Sequence, residues 1–183
     1  MPISKGKTSR QPDTIRENNA LISYLNAILQ KVSNHAEHVD SQTNIMIAIS
    51  SGLFIFSASK IYTPQGTISW PMVIFIIFTG LAEIVAIFSV NPPRLMEKKP
   101  KESVFYHREI ASLPGADEYY QRLIHTTDDI HKIIKEYADE IYNLSKNSYL
   151  PKRKLFRLSR NLLILGVLFS ALAFLCQQLL HFL

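Results

Sequence analysis

Three apolar runs separated by polar stretches set the pattern of this chain. Ser69 to Arg94 (SWPMVIFIIFTGLAEIVAIFSVNPPR) is the most continuous. About 20 apolar residues at 1.5 Å rise cross the roughly 30 Å hydrocarbon of a bilayer, and this run suffices. Trp70 and Pro71 open it, Asn91-Pro92-Pro93-Arg94 closes it, and Glu83 is the one charge inside. Ile45 to Tyr62 is shorter and rich in Ser50, Ser51, Gly52, Ser57 and Ser59. Small residues and hydroxyls let helices approach and bond to one another in lipid. Asn161 to Leu183 carries no Asp, Glu, Lys or Arg. Tyr62 and Trp70 suit the interface and flank the turn Thr63-Pro64-Gln65-Gly66, so the first two runs read as a hairpin.

The polar stretches read as helices of a different kind. Met1 to Arg10 is small, polar and basic, and is expected to be disordered. From about Asp13, Ile15, Ile22, Leu25, Leu29, Val32 and Ala36 follow three- and four-residue steps, the stripe of an amphipathic helix. That stripe packs on the soluble part, on a neighbouring subunit, or on the membrane surface. Asn34 to Asn44 is a polar lead-in to the first run. His35, His38 and Asp40 lie in it without a third strong metal ligand at a recognisable spacing, so no metal site is expected. Ser103 to Ser112 reads as a short helix burying Phe105, Tyr106 and Ile110, stopped by Pro114-Gly115. Asp117 then caps one long helix in which Leu123, Ile130, Tyr137 and Leu144 recur every seven residues. Pro151 ends or kinks it. Lys152, Arg153, Lys154, Arg157 and Arg160 follow at the membrane entry, a cluster that suits anionic lipid or, in a second reading, a nucleotide phosphate.

Charge fixes an orientation. Lys5, Lys7, Arg10, Arg16 and Lys31 precede the first run, fourteen basic residues lie between Arg94 and Arg160, and the loop from Thr63 to Ser69 has none. The positive-inside rule therefore predicts a cytoplasmic N-terminus, a cytoplasmic stretch after span two, and a C-terminus outside. The expected fold is an all-α membrane protein with three transmembrane helices. Residues 1–42 form a cytosolic N-terminal helix with its disordered start. Residues 43–93 form a hairpin, with spans at about 43–62 and 69–90. Residues 94–160 form a cytosolic helical, sensor-like segment, and 161–183 the third span.

Enzyme chemistry is not visible. The chain has no phosphate-cradling glycine loop, HExxH, CxxC pair or Gly-x-Ser-x-Gly. Asp128, Asp129, Glu136, Asp139 and Glu140 read as a solvated helix face, and His107, His125 and His131 lack ligand spacing. The single Cys176 excludes a disulfide framework. Glu83 stands apart, because a carboxylate about seven residues, or roughly 10 Å, inside a span is costly. Ser50 and Ser51 on the first span lie at its depth. Either it bonds to such hydroxyls and holds the bundle together, or it lines a water-filled path in an oligomer.

The layout resembles the transmembrane effectors of pyrimidine cyclase (Pycsar) antiphage systems. The matching residues are Asp40 before the first span, Asn91-Pro92-Pro93-Arg94 after the second, and Phe105-Tyr106 with Ile110. Glu118-Tyr119, Glu140-Ile141 and Lys154-Leu155 to Leu158 continue the match. Members often carry Asp-x-Lys before the first span, where this chain has Gln42. The resemblance implies a homo-oligomeric effector of the bacterial inner membrane that is not an enzyme, has no cofactor and does not engage nucleic acid. A partner pyrimidine nucleotide cyclase activates it through a diffusible cyclic pyrimidine mononucleotide (cCMP or cUMP). The effector then impairs the membrane and causes abortive infection. A base wants an aromatic face and a phosphate an arginine; Tyr106, Arg108, Tyr119 and Arg122 offer both, or are ordinary helix packing. A passive accessory or scaffold subunit of a membrane complex is the alternative function.

Overall fold

The computed structural model describes residues 10–62, 66–93 and 103–182. The helices are α1 (Arg10–Ser59), α2 (Trp70–Val90), α3 (His107–Ser112), α4 (Ala116–Thr127), α5 (Ile130–Asn143) and α6 (Leu150–Phe182). A π-helical turn, Leu144–Tyr149, joins α5 to α6. The described residues contain no strand. One isolated antiparallel bridge, Tyr62 to Ile68, closes the connection from α1 to α2. The Ser69 amide donates to the Ile61 carbonyl at 2.8 Å beside it. Gly66 in this turn has φ +77°, a region that residues with a Cβ avoid. Thr63, Pro64, Gln65, Arg94, Lys98, Lys99 and Lys101 lie outside the described residues.

Three helices are long and apolar enough to cross a membrane: α1, α2, and the helical stretch that ends in α6. The protein is an all-α membrane protein. Its chain divides into two compact units. One takes residues up to Asn34 together with 99–145; the other takes His35–Lys98 and Lys146–Leu183.

In the first unit, the amphipathic stripe is the less exposed face of α1. Ile22, Leu25, Leu29 and Val32 are half-buried, whereas Leu21 and Tyr24 are exposed. Four expectations are corrected here. The heptad seam is not one helix: it breaks between α4 and α5, where Asp129 takes an extended conformation and its carboxylate accepts the His131 amide at 2.9 Å. An aspartate that caps a new helix competes with continuing the old one. Asp117 lies in the first turn of α4, and Gly115 is its N-cap. Asp139 and Glu140 are not on a solvated face; both are buried, as is Asn143. Glu136, Asp139, Glu140 and Asn143 fall on steps of three, one and three, so one helix face carries all four, and Glu136 accepts the Val104 amide at 2.8 Å. Phe105 is exposed, contrary to the expected burial, with its ring tilted against that of Tyr137 at 5.1 Å between centroids.

The second unit is packed the opposite way to a water-soluble bundle. Its fully buried positions are small: Thr43, Ser50 and Ser57 on α1, and Thr79, Ala82, Ala86 and Ser89 on α2. Its large apolar side chains point outward, among them Ile77, Ile84 and Phe88 on α2 and Leu168, Leu172 and Leu175 on α6. Lipid removes the penalty for exposing them and leaves close approach of small residues to hold the helices together. Buried hydroxyls are satisfied within their own helix, as Thr43 on the Val39 carbonyl, Ser50 on Met46 and Ser57 on Leu53. Three others tie α2 to α6. Ser89 donates to the Lys152 carbonyl at 2.9 Å, Ser159 to Ala82 at 2.7 Å and Ser170 to Pro71 at 3.0 Å. Between them, Gly166 lies against Phe78, where an added Cβ would sit 2.6 Å from the Phe78 Cβ.

Candidate functional site

Polar groups of the second unit gather at two levels. Deeper in the helices, Ser51 on α1 donates to Glu83 Oε1 on α2 at 2.6 Å. Both side chains are half-buried. Ser50, its sequence neighbour, turns to its own helix and bonds the Met46 and Ile47 carbonyls. One hydroxyl therefore supports the carboxylate; the other closes the helix face.

The second level lies at the α6 end that carries the basic cluster. Lys152 does not share its neighbours' direction. Its ammonium donates to both carboxylate oxygens of Asp40, at 2.8 and 2.7 Å. The Lys152 side chain is 16% exposed and that of Asp40 36%. Thr43 and Ser89 approach each other at 3.4 Å in the same layer, and Ser89 holds the Lys152 carbonyl. The Asp40–Lys152 pair spans 112 residues of sequence. Sequence reasoning missed it, although a lone aspartate ahead of a charge-free run is a signal that a cation must come from elsewhere.

Removing Lys152 from the cluster leaves Arg153, Lys154, Arg157 and Arg160, all exposed. Arg153, Arg157 and Arg160 are spaced by four and three, so they share one face of α6. They border a cleft of about 260 Å³ with His35, His38 and Tyr149 on its wall. The Arg153 guanidinium lies 5.5 Å from the centre of the Tyr149 ring. Tyr149 ends the π-helical turn. Pro151, two residues on, has no amide hydrogen for the usual bond four residues back, and the helix widens there.

The first unit has its own cleft, of about 390 Å³. Arg122 reaches it, but its guanidinium is engaged by Glu109 at 2.9 Å and Glu118 at 3.5 Å. Glu136 also lines the wall, so carboxylates outnumber the cation, and an anionic ligand meets repulsion there. Tyr106 caps α3 and Tyr119 is half-buried on α4; neither lines this cleft. The Arg108 side chain lies outside the described residues.

The Pycsar effector protein domain, as a family, matches residues 24–177. The chain is a member of that family. The match runs from the amphipathic part of α1 to near the end of α6, so it takes in both units and both polar levels. No curated protein and no solved structure matches the chain. Membership makes this Pycsar effector an antiphage defence protein that acts from a membrane, in a family of effectors rather than known enzymes. A partner cyclase system is implied with it.

Proposed function

We infer that this Pycsar effector answers a cyclic pyrimidine mononucleotide, cCMP or cUMP, made by its partner cyclase, and then breaches the inner membrane. Cell death precedes phage release. In this reading the N-terminus and residues 94–160 are cytoplasmic and the C-terminus is periplasmic, as the basic residues demand. The observation that carries the reading is a bundle inverted for lipid that nonetheless holds a carboxylate within a span. An intramembrane acid is a functional feature by default, and Glu83 rests on a single hydroxyl of α1. Copies assembling around that level would bring several Glu83 side chains to one path.

The test is co-expression with a pyrimidine cyclase while a membrane-impermeant dye is followed. Dye entry should require both proteins and an active cyclase. Exclusion of dye from cells holding both would refute the reading and leave a passive accessory role.

A further inference from the structure

The basic cleft of the second unit has a composition that calls for a ligand. Among the described residues, three guanidinium groups border it and no carboxylate does. Among the described residues no acid pairs with Arg153, Arg157 or Arg160; the neighbouring Asp40 is taken by Lys152. Like charges gathered on one helix face repel, and a bound anion offsets that cost. Arginine is also the side chain whose planar fork grips two oxygens at once, unlike the point charge of lysine.

The cleft is more than a charged surface. Tyr149 gives it an aromatic wall and lies near the His35 ring at 6.4 Å between centroids, while Arg153 rests over its face. That contact steers one guanidinium. The π-helical turn presents Tyr149, and such turns recur at functional sites. A volume of about 260 Å³ admits a phosphate with part of what it is esterified to.

We propose that this cleft is a phosphodiester-binding site, in which Arg157 and Arg160 grip the two free phosphate oxygens and Tyr149, oriented under Arg153, receives the group attached to them. A cyclic mononucleotide and an anionic phospholipid headgroup both present that chemistry. The nucleotide source rests on the function proposed above; the headgroup source does not.

The test uses the purified full chain in neutral detergent and two probes: cCMP or cUMP, and dioleoyl phosphatidylglycerol, each followed by thermal shift. Two double variants are compared with wild type. Arg157→Lys/Arg160→Lys keeps the charge but removes the forks, and Arg157→Gln/Arg160→Gln removes both. Both positions are solvent-exposed side chains on a helix, so folding should survive, and unliganded melting temperature checks it. The expected result is a loss of roughly 10- to 100-fold in apparent affinity for one probe in both variants, the size of losing hydrogen bonds to a charged group. Loss for the nucleotide identifies a messenger site; loss for the lipid alone identifies a headgroup site. If the lysine variant keeps wild-type affinity for both probes, only diffuse charge is present and the proposal is overturned. It is also overturned if wild type binds neither probe. Nucleotide binding that survives in both variants, with lipid affinity also unchanged, overturns the site and spares the proposed function. Lipid dependence that falls while wild type ignores both nucleotides spares the site and sinks the nucleotide trigger.

Discussion

Gly166 offers the sharpest test of how the membrane helices are held. A Cβ added there would lie 2.6 Å from the Phe78 Cβ and 3.3 Å from its Cγ. Ordinary carbon contacts are about 3.5–4.0 Å, so α2 and α6 would have to part by roughly 1 Å. The obstacle is the root of a side chain, which no rotamer change relieves. Overpacking of this kind costs about 1–3 kcal/mol. Alanine also favours a helix over glycine by up to about 1 kcal/mol, which would mask part of the clash. Gly52 on α1 removes that ambiguity, because a Cβ there meets nothing within 4 Å. Gly52→Ala and Gly166→Ala share the propensity gain and differ in the clash. Unfolding in mixed detergent, followed by circular dichroism, should show Gly166→Ala less stable than Gly52→Ala by about 1–3 kcal/mol. Equal stability within about 0.5 kcal/mol would mean that α2 and α6 are not in contact at this point.

Other outcomes follow from the polar levels and the helix break. Ser51→Ala should destabilise the bundle by about 0.6 kcal/mol, the average for hydrogen bonds between membrane helices, and by no more than about 1.7 kcal/mol. Glu83→Gln, which keeps a partner for Ser51, should leave stability nearly unchanged, and altered dye entry in that variant would mark Glu83 as path-lining. For the Asp40–Lys152 pair, Asp40→Ala should cost more than Lys152→Met, because it strands the more buried charge. A double-mutant cycle should return a coupling of about 1 kcal/mol, and a value near zero would remove the pair from the account. Asp129→Ala should cost about 1 kcal/mol through the lost cap. It should also raise hydrogen exchange at His131, Lys132 and Ile133, while unchanged exchange would show that another group caps α5.

The membrane-crossing segments were legible because they are set by composition over long stretches. Ile45 to Tyr62, Ser69 to Arg94 and Asn161 to Leu183 are apolar whatever they pack against. Depth along the spans offers Glu83 the hydroxyls of Ser50, Ser51 and Ser170, with Thr79 one turn away on its own helix, and choosing Ser51 among them needs the rotation of α1. What stayed hidden depends on which faces meet. Asp40 and Lys152 each look like ordinary juxtamembrane charges, and their pairing requires the register of α1 against α6. The seven-residue recurrence from Leu123 to Leu144 is real in the sequence yet runs through Asp128-Asp129, where capping chemistry overrides it. Charge alone places Asp139 and Glu140 in solvent, whereas both are buried on the face of α5 that carries Glu136 and Asn143. The cleft under Tyr149 was invisible for a related reason. It takes residues from α1, from the π-helical turn and from α6, and the turn itself changes which way Tyr149 faces.

The length of α2 has a consequence for the kind of bilayer the protein tolerates. Its 21 residues reach about 31 Å at 1.5 Å per residue, against hydrocarbon of about 30 Å. Both ends are fastened to α6, Pro71 through Ser170 and Ser89 through Lys152. A helix fastened at both ends and matched in length has little freedom to tilt on its own. Thinning or thickening of the bilayer costs a fraction of a kcal/mol per Å of mismatch, and here that load falls on the two end bonds. Lipid chain length is therefore expected to change the stability of the bundle without a change of residue.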